Sequence, residues 1–534
     1  MTNPQSLPEA TSLTSSGEPD VKPARLTRAE RNARAMSVAH LENTLGRRTL
    51  QGGGLMAISN VLRLLIQLAS LAVLGRILLP DDFGLLAMSW AVLGFVTMFA
   101  ELGLSTATIQ RQEIDQNTTS VLFFMGLGVG TLVCLILMAL APLAAMLFNE
   151  PRLTLVVAAM ALVIPVNMLA TQHFALLART MRWLDLEIGA VTSQALCVVA
   201  AILLAIYTPI GYWALVAQAW IGSLSYSLFL IWRCDWRPSW PTHWRAAASS
   251  VMLGVNLTGF TVMNYFQRTL DQVLIGWRWG TIELGFYARA YALLQAPINF
   301  VNVPIAKALQ PALSRLQDKP EEWRAAFLAG LGALVILSGG FTAVLFGGAG
   351  PVIRTVYGPG WDQTQAIFGW LALSMALATP MNAVNWIYIS LGRTGRMFQW
   401  GLWSTPVYVL AFVVGLPYGG TGVAIAYSTA VAILFIPCFV MATRQTSVTV
   451  LDVLKVIWPM SVAAVLVGIV LRMMTHEASA IMGVAYTVLG GLAYLCVALL
   501  LVMTLPVYAS IRTYGLEFAG GFLKKLRKQE AGEA

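Results

Sequence analysis

From about residue 54 to residue 505 the chain alternates long apolar stretches with short polar interruptions. An α-helix advances about 1.5 Å per residue, so roughly 20 successive apolar residues cross the hydrocarbon core of a bilayer. The pattern predicts about fourteen such helices. Seven fall at 54–79, 84–109, 119–148, 153–178, 186–207, 211–232 and 251–277. The other seven fall at 284–312, 325–347, 362–391, 397–418, 421–443, 452–475 and 481–505. Several connections are tight turns, such as Pro80-Asp81-Asp82, where an aspartate can cap the following helix, and Pro417-Tyr418-Gly419-Gly420. None is long enough to fold alone. The fold class is therefore an all-α integral membrane protein.

Composition agrees: 57% of residues are hydrophobic, 11% are charged and the mean hydropathy is +0.71, whereas soluble domains carry about 25% charged residues. Cys134, Cys197, Cys438 and Cys496 lie inside apolar runs, with Cys234 outside them. No CxxC pair or metal spacing joins the five, so they read as packing residues. The net charge of +9 matters through its location rather than its sum, and it does not by itself indicate nucleic acid. Of 34 lysines and arginines, 25 fall in the termini and alternate loops, and only five, Arg76, Arg152, Arg278, Arg354 and Arg472, fall in the other loops. That bias places both termini on the cytoplasmic side, and an odd number of spans would scramble it. The first 50 residues hold no apolar signal segment.

The organisation that follows is a basic, partly disordered N-terminal segment at 1–49, a first bundle at 50–250, a second at 251–443, two further helices at 444–505 and a basic tail at 506–534. Residues 25–48 can form a basic helix beside the membrane, either a solvated anchor or a contact for anionic lipids or a partner. Gly75 and Gly84 bracket the turn between the first two spans, and Gly276 and Gly285 bracket the turn between spans seven and eight, 201 residues later. The match suggests a parallel duplication, with chance similarity between tight turns as the alternative.

Six ionisable side chains sit well inside the spans: Arg63, Glu101, Arg268, Asp271, Arg289 and Lys307. Each costs roughly 2.5 to 3.5 kcal/mol at mid-membrane, so each needs a partner or a wet cavity. Arg63 and Glu101 lie at matching depths, while Arg268 and Asp271 are three apart on one helix with Arg289 entering from the next. Two readings stand: local charge pairing, or a solvated cationic lumen in which the acids tune the arginines. Asn60 and Gln67 flank Arg63, and Asn256, Asn264, Gln267, Gln295, Asn299 and Asn302 follow in spans seven and eight. These amides either join helices or bind sugar hydroxyls. Trp386, Tyr388, Trp400 and Trp403 either pack or stack on sugar rings. No GxxxxGK[ST] loop, HExxH or CxxC set is present, so neither nucleotide hydrolysis nor a metal or other cofactor is expected. A membrane glycosyltransferase or polymerase is the weaker class, because the outer loops that would carry its catalytic groups are short.

The segment Gly75 to Arg111, GRILLPDDFGLLAMSWAVLGFVTMFAELGLSTATIQR, resembles the bacterial polysaccharide-unit flippases of the Wzx type. Asn264 to Asp318, NYFQRTLDQVLIGWRWGTIELGFYARAYALLQAPINFVNVPIAKALQPALSRLQD, is similar to the same family. The resemblance implies two pseudo-symmetric bundles around a central cavity, alternating access, and a polyprenyl-diphosphate-linked oligosaccharide as cargo. It also implies residence in a bacterial inner membrane, amid membrane lipids, with a polysaccharide polymerase and synthesis enzymes as partners. By location, Arg63, Arg268 and Arg289 are the candidates for meeting the diphosphate, with Asn60, Gln67 and Asn264 beside them and Glu101 and Asp271 as ion-coupling groups or charge partners. Export of a drug or other amphiphile is the alternative within the same superfamily.

Overall fold

Helix covers all fourteen expected apolar segments in the computed structural model, the second of them as far as Thr97. The structure describes residues 27–36, 45–97, 105, 108, 109, 114–242, 248–475, 480–509 and 512. Glu101, most of the 1–49 segment and most of the 506–534 tail lie outside the described residues, as do the side chains of Asn256 and Asn264. The helices are α1 (Arg28–Met36), α2 (Leu45–Ile77), α3 (Pro80–Thr97), α4 (Gln116–Phe148), α5 (Arg152–Ala161), α6 (Val163–Arg179), α7 (Trp183–Tyr207) and α8 (Trp213–Arg233). They continue as α9 (Ala248–Arg315), α10 (Pro320–Gly347), α11 (Ala349–Tyr357), α12 (Asp362–Met381), α13 (Val384–Ser390), α14 (Thr394–Gly415), α15 (Gly419–Thr443), α16 (Val450–Thr475) and α17 (Ala480–Thr504). Among the described residues, ten helical stretches are long and apolar enough to cross a membrane. One of the ten, Thr394–Thr443, is α14 and α15 joined through a 3-10 turn.

Local chemistry sets several boundaries. Asp115 caps α4 by accepting from the Thr118 amide at 3.2 Å, and Asn149 closes the same helix in the left-handed region. The two spans expected at 251–277 and 284–312 form the two arms of α9, 68 residues in which the chain turns back at Gly280, where φ is +80°. Glycine adopts that angle without the Cβ clash that would oppose it elsewhere. The span expected at 362–391 is instead broken, because Pro380 removes a backbone donor just before α12 gives way to α13. Of the basic helix expected at 25–48, the described residues show Arg28–Met36 as α1 and the start of α2 from Leu45. α1 docks by its own contacts: Arg28 donates to the Pro238 carbonyl at 2.6 Å, and the Asn32 amide exchanges hydrogen bonds with the Arg237 backbone.

The end bearing Arg76, Arg152 and Arg354 is termed outer below, and the end bearing Arg315 and Arg393 inner. At the outer end one apolar core takes residues from both halves of the chain, from Leu71 and Phe148 to Tyr357 and Trp361. Towards the inner end the core separates: one cluster belongs to the second half, around Trp323, Phe327 and Phe439, and another to the first, around Phe123, Leu177 and Trp236. Among the described residues the halves thus share one apolar cluster at the outer end and hold separate clusters towards the inner end.

The outer junction rests on α3 against α9. A Cβ at Gly84 would overlap the Thr281 carbonyl oxygen, and a Cβ at Gly285 would overlap the Pro80 carbonyl oxygen. The two contacts interchange under the 201-residue offset that relates the glycines in sequence. Only glycine permits backbones this close. Further along the same pair of helices, Tyr265 donates to the Ala91 carbonyl. Beyond Gly280, α9 carries Pro297, Pro304 and Pro311, spaced seven apart.

Candidate functional site: a polar cavity in the second half

A cavity of about 480 Å³ is lined, among the described residues, by the second half alone, from α9, α12, α13, α14 and α15. Its volume falls among pockets that enclose a small-molecule group. Asp271 and Tyr287 stand at its outer part, and it extends to Gln310 and Met397, near the inner ends of α9 and α14. Among the described residues of the wall, Arg268 and Asp271 are the only lysine, arginine, aspartate or glutamate residues. The remaining polarity comes chiefly from amides: Gln295, Asn299, Asn302 and Gln310 on α9, and Asn382 and Asn385 at the α12–α13 break. Tyr291, Tyr408, Tyr427, Trp386 and Trp400 supply aromatic faces.

Asp271 is 4% exposed. Pairing with Arg268, three residues back, was one of its two readings; its carboxylate accepts from the Tyr287 hydroxyl at 2.6 Å and from the Gln272 backbone amide at 2.8 Å. Among the described residues no ion pair joins Arg268 to Asp271. The fold at Gly280 explains this: it turns the second arm of α9 back along the first, which brings Tyr287 to the carboxylate. Arg268 is an exposed residue on the cavity wall.

Arg289 lies outside that wall. Its guanidinium sits over the Phe83 ring, 4.1 Å from the centroid, within the outer junction between the halves, and its Nε is buried with no hydrogen-bond partner. Arg63 belongs to the first half. It donates to Asn60 Oδ1 at 2.6 Å, and its own carbonyl accepts from Gln194 at 3.0 Å, which ties α2 to α7. Nearby, Ser59 donates to Glu187. Gln67 is exposed on α2, and Lys307 is exposed on α9. The predicted residues are therefore not one cluster: Arg268 and Asp271 share the cavity, whereas Arg63 with Asn60 and Arg289 occupy two other places.

Of the aromatic candidates, Trp386 and Trp400 line the cavity, Tyr388 is buried elsewhere in the core, and Trp403 is 76% exposed on the outside of the bundle. Sequence reasoning missed Tyr287, Thr379, Asn382 and Asn385. A signal for the last three was present: amides beside a proline inside an apolar span mark irregular backbone, which is tolerated at membrane depth only inside protein or along a cavity.

The outer end is fastened as well as packed. Arg152 bonds Asp81 and Glu150, each at 2.8 Å, and Asp81 also accepts from Thr281 of the other half. Arg152 donating to Glu150 holds that carboxyl below the usual carboxylate range. Arg76 donates to the Thr355 carbonyl, and the Trp361 indole donates to the Gly75 carbonyl at 3.1 Å.

Solved structures share this helical architecture. The fold is similar to that of the lipid II flippase MurJ in an inward closed conformation, with a TM-score of 0.68 at 12% identity over 84% of this chain and 98% of that one. It is also similar to an inward-facing multidrug resistance MATE family transporter of the MOP superfamily, with a TM-score of 0.56 at 14% identity over 75% of this chain and 99% of the other. The particular family follows from sequence: residues 73–366 match the polysaccharide biosynthesis protein family, and the chain belongs to it. Relatives include the lipopolysaccharide biosynthesis protein WzxC of Escherichia coli (strain K12), 24% identical over 72% of this chain and 78% of the relative. The succinoglycan biosynthesis transport protein ExoT of Rhizobium meliloti (strain 1021) is 23% identical over 63% of this chain and 68% of its own length.

Proposed function

We propose that the protein is a flippase, a carrier and not an enzyme, which moves a polyprenyl-diphosphate-linked oligosaccharide from the cytoplasmic to the periplasmic leaflet of a bacterial inner membrane for polysaccharide synthesis. The observation that carries this reading is a polar, aromatic cavity inside an apolar bundle whose halves, among the described residues, are fastened at the outer end and keep separate apolar clusters towards the inner end. Such a shape admits a hydrophilic head group from inside while the lipid tail stays in the bilayer. Rocking of the two halves then exposes the head group outside. In the same reading Arg63 and Arg268 meet the diphosphate through forked, permanently charged donors. Asp271, buried at the outer part of the cavity, is the candidate for coupling to an ion gradient.

The test is translocation by purified protein in liposomes, with glycan-bearing polyprenyl diphosphate placed on one leaflet and detected on the other. Facilitated crossing is expected without nucleotide. A protein that exports amphiphilic drugs but leaves the lipid-linked glycan where it began overturns the proposal.

A further inference from the structure

Two polar atoms in the cavity wall are buried without a hydrogen-bond partner: Asn302 Oδ1 and Thr379 Oγ1. Thr379 is 1% exposed. Such groups are costly when left unmatched in an apolar surrounding, and native interiors leave few of them. They lie in the part of the wall that Arg268 and Asp271 do not supply, where the polar residues are amides.

The donor and acceptor chemistry there is selective. Each amide presents an acceptor oxygen together with two donor hydrogens, and a hydroxyl can do both. An ionised diphosphate only accepts, so it would leave Asn302 Oδ1 unmatched. Nor does this part of the wall offer it a lysine or arginine among the described residues. A polyol donates and accepts from every hydroxyl. It also offers flat C–H faces to aromatic rings, and Trp386 and Trp400 stand in the same wall.

We propose that this inner part of the second-half cavity is a glycan subsite, which reads the uncharged hydroxyls of the sugar rings and does not hold the diphosphate. The inference rests on the flippase reading for its cargo and adds a division of labour: sugar to the amides around Asn302 and Thr379, phosphate to arginines elsewhere. Stereochemistry of the hydroxyls would then decide which glycans are carried, because a buried polar site rejects analogues that leave its groups unpaired.

The experiment measures binding to the full-length protein in nanodiscs. The probes are the polyprenyl-diphosphate glycan pool extracted from membranes of the cells that make the protein, the free oligosaccharide released from that pool by mild acid, and bare polyprenyl diphosphate. Wild-type protein should bind the glycan-bearing lipid more tightly than the bare lipid, and the free oligosaccharide should compete. Thr379→Val, nearly isosteric, and Asn302→Leu should each weaken glycan-lipid binding by about tenfold, the scale of one buried hydrogen bond lost. Affinity for bare polyprenyl diphosphate should stay unchanged, which also reports that the variants are folded. Equal wild-type affinity for the glycan-bearing and bare lipids, or equal losses for both in the variants, overturns the subsite. If wild-type protein binds the oligosaccharide at these residues yet moves no lipid across liposomes, the subsite stands and the flippase reading falls.

Discussion

At the scale of single residues, position along a helix was legible and direction was not. Counting along the apolar runs placed Arg63, Arg268, Asp271 and Arg289 within helices, but only their neighbours in space distinguish their roles. Asp271 is met by a tyrosine sixteen residues later, and Arg289 by the face of Phe83 on another helix. Neither partner is an opposite charge at helical spacing, so a search for pairs at three or four residues could not find them. The positions differ in what substitution should do. Arg63→Gln is expected to lower translocation about ten- to a hundredfold, the range for a charge-assisted hydrogen bond lost to the cargo. Lysine at Arg63 should recover part of that loss, because it keeps the charge without the fork. Arg289→Gln should instead act on protein abundance and thermal stability, since its guanidinium packs within the outer junction rather than on the cavity wall. Rates per folded molecule in liposomes separate the two, and normal rates for Arg63→Gln would remove it from the cargo path.

Among the elements, the apolar pattern predicted where helices run but not every break within them. The turn expected between spans seven and eight falls at Gly280, whose positive φ reverses α9, whereas a proline splits the span expected at 362–391 into α12 and α13, because backbone geometry at one residue outweighs hydropathy averaged over twenty. The most informative sequence feature was the spacing of four glycines, whose second members in each turn prove to be contact points between α3 and α9. Alanine at Gly84 or Gly285 would force backbone apart at the outer junction. Each variant should therefore favour the state opened on the outer side. A single cysteine introduced at Gln267 in a cysteine-free background should react faster with an impermeant maleimide added outside when either alanine is present. Unaltered or slower labelling would mean that the junction does not govern access. Alanine at Gly128, where an added Cβ meets nothing within 4 Å, is the control.

For the whole molecule, the basic-residue bias predicts orientation independently of the fold. Cysteines placed beside Arg152 and Arg354 should be labelled from outside intact cells, and those beside Arg315 and Arg393 should be protected; the opposite pattern reverses the topology. That the described lining of the cavity comes from the second half was not legible, because it depends on which faces of five helices converge. One further property belongs to the second arm of α9. Pro297, Pro304 and Pro311 recur every two turns, so they lie along nearly one stripe. Each ring displaces the carbonyl four residues earlier and opens the helix on its own side. Gln295, Asn299 and Asn302 stand two residues from one or other proline, about 200° around the axis, on the opposite side. The arm is thus an archer's bow, notched along its back and carrying the amides on its belly. It yields in a single plane, so a small change in its curvature draws those amides together or spreads them without unwinding a turn.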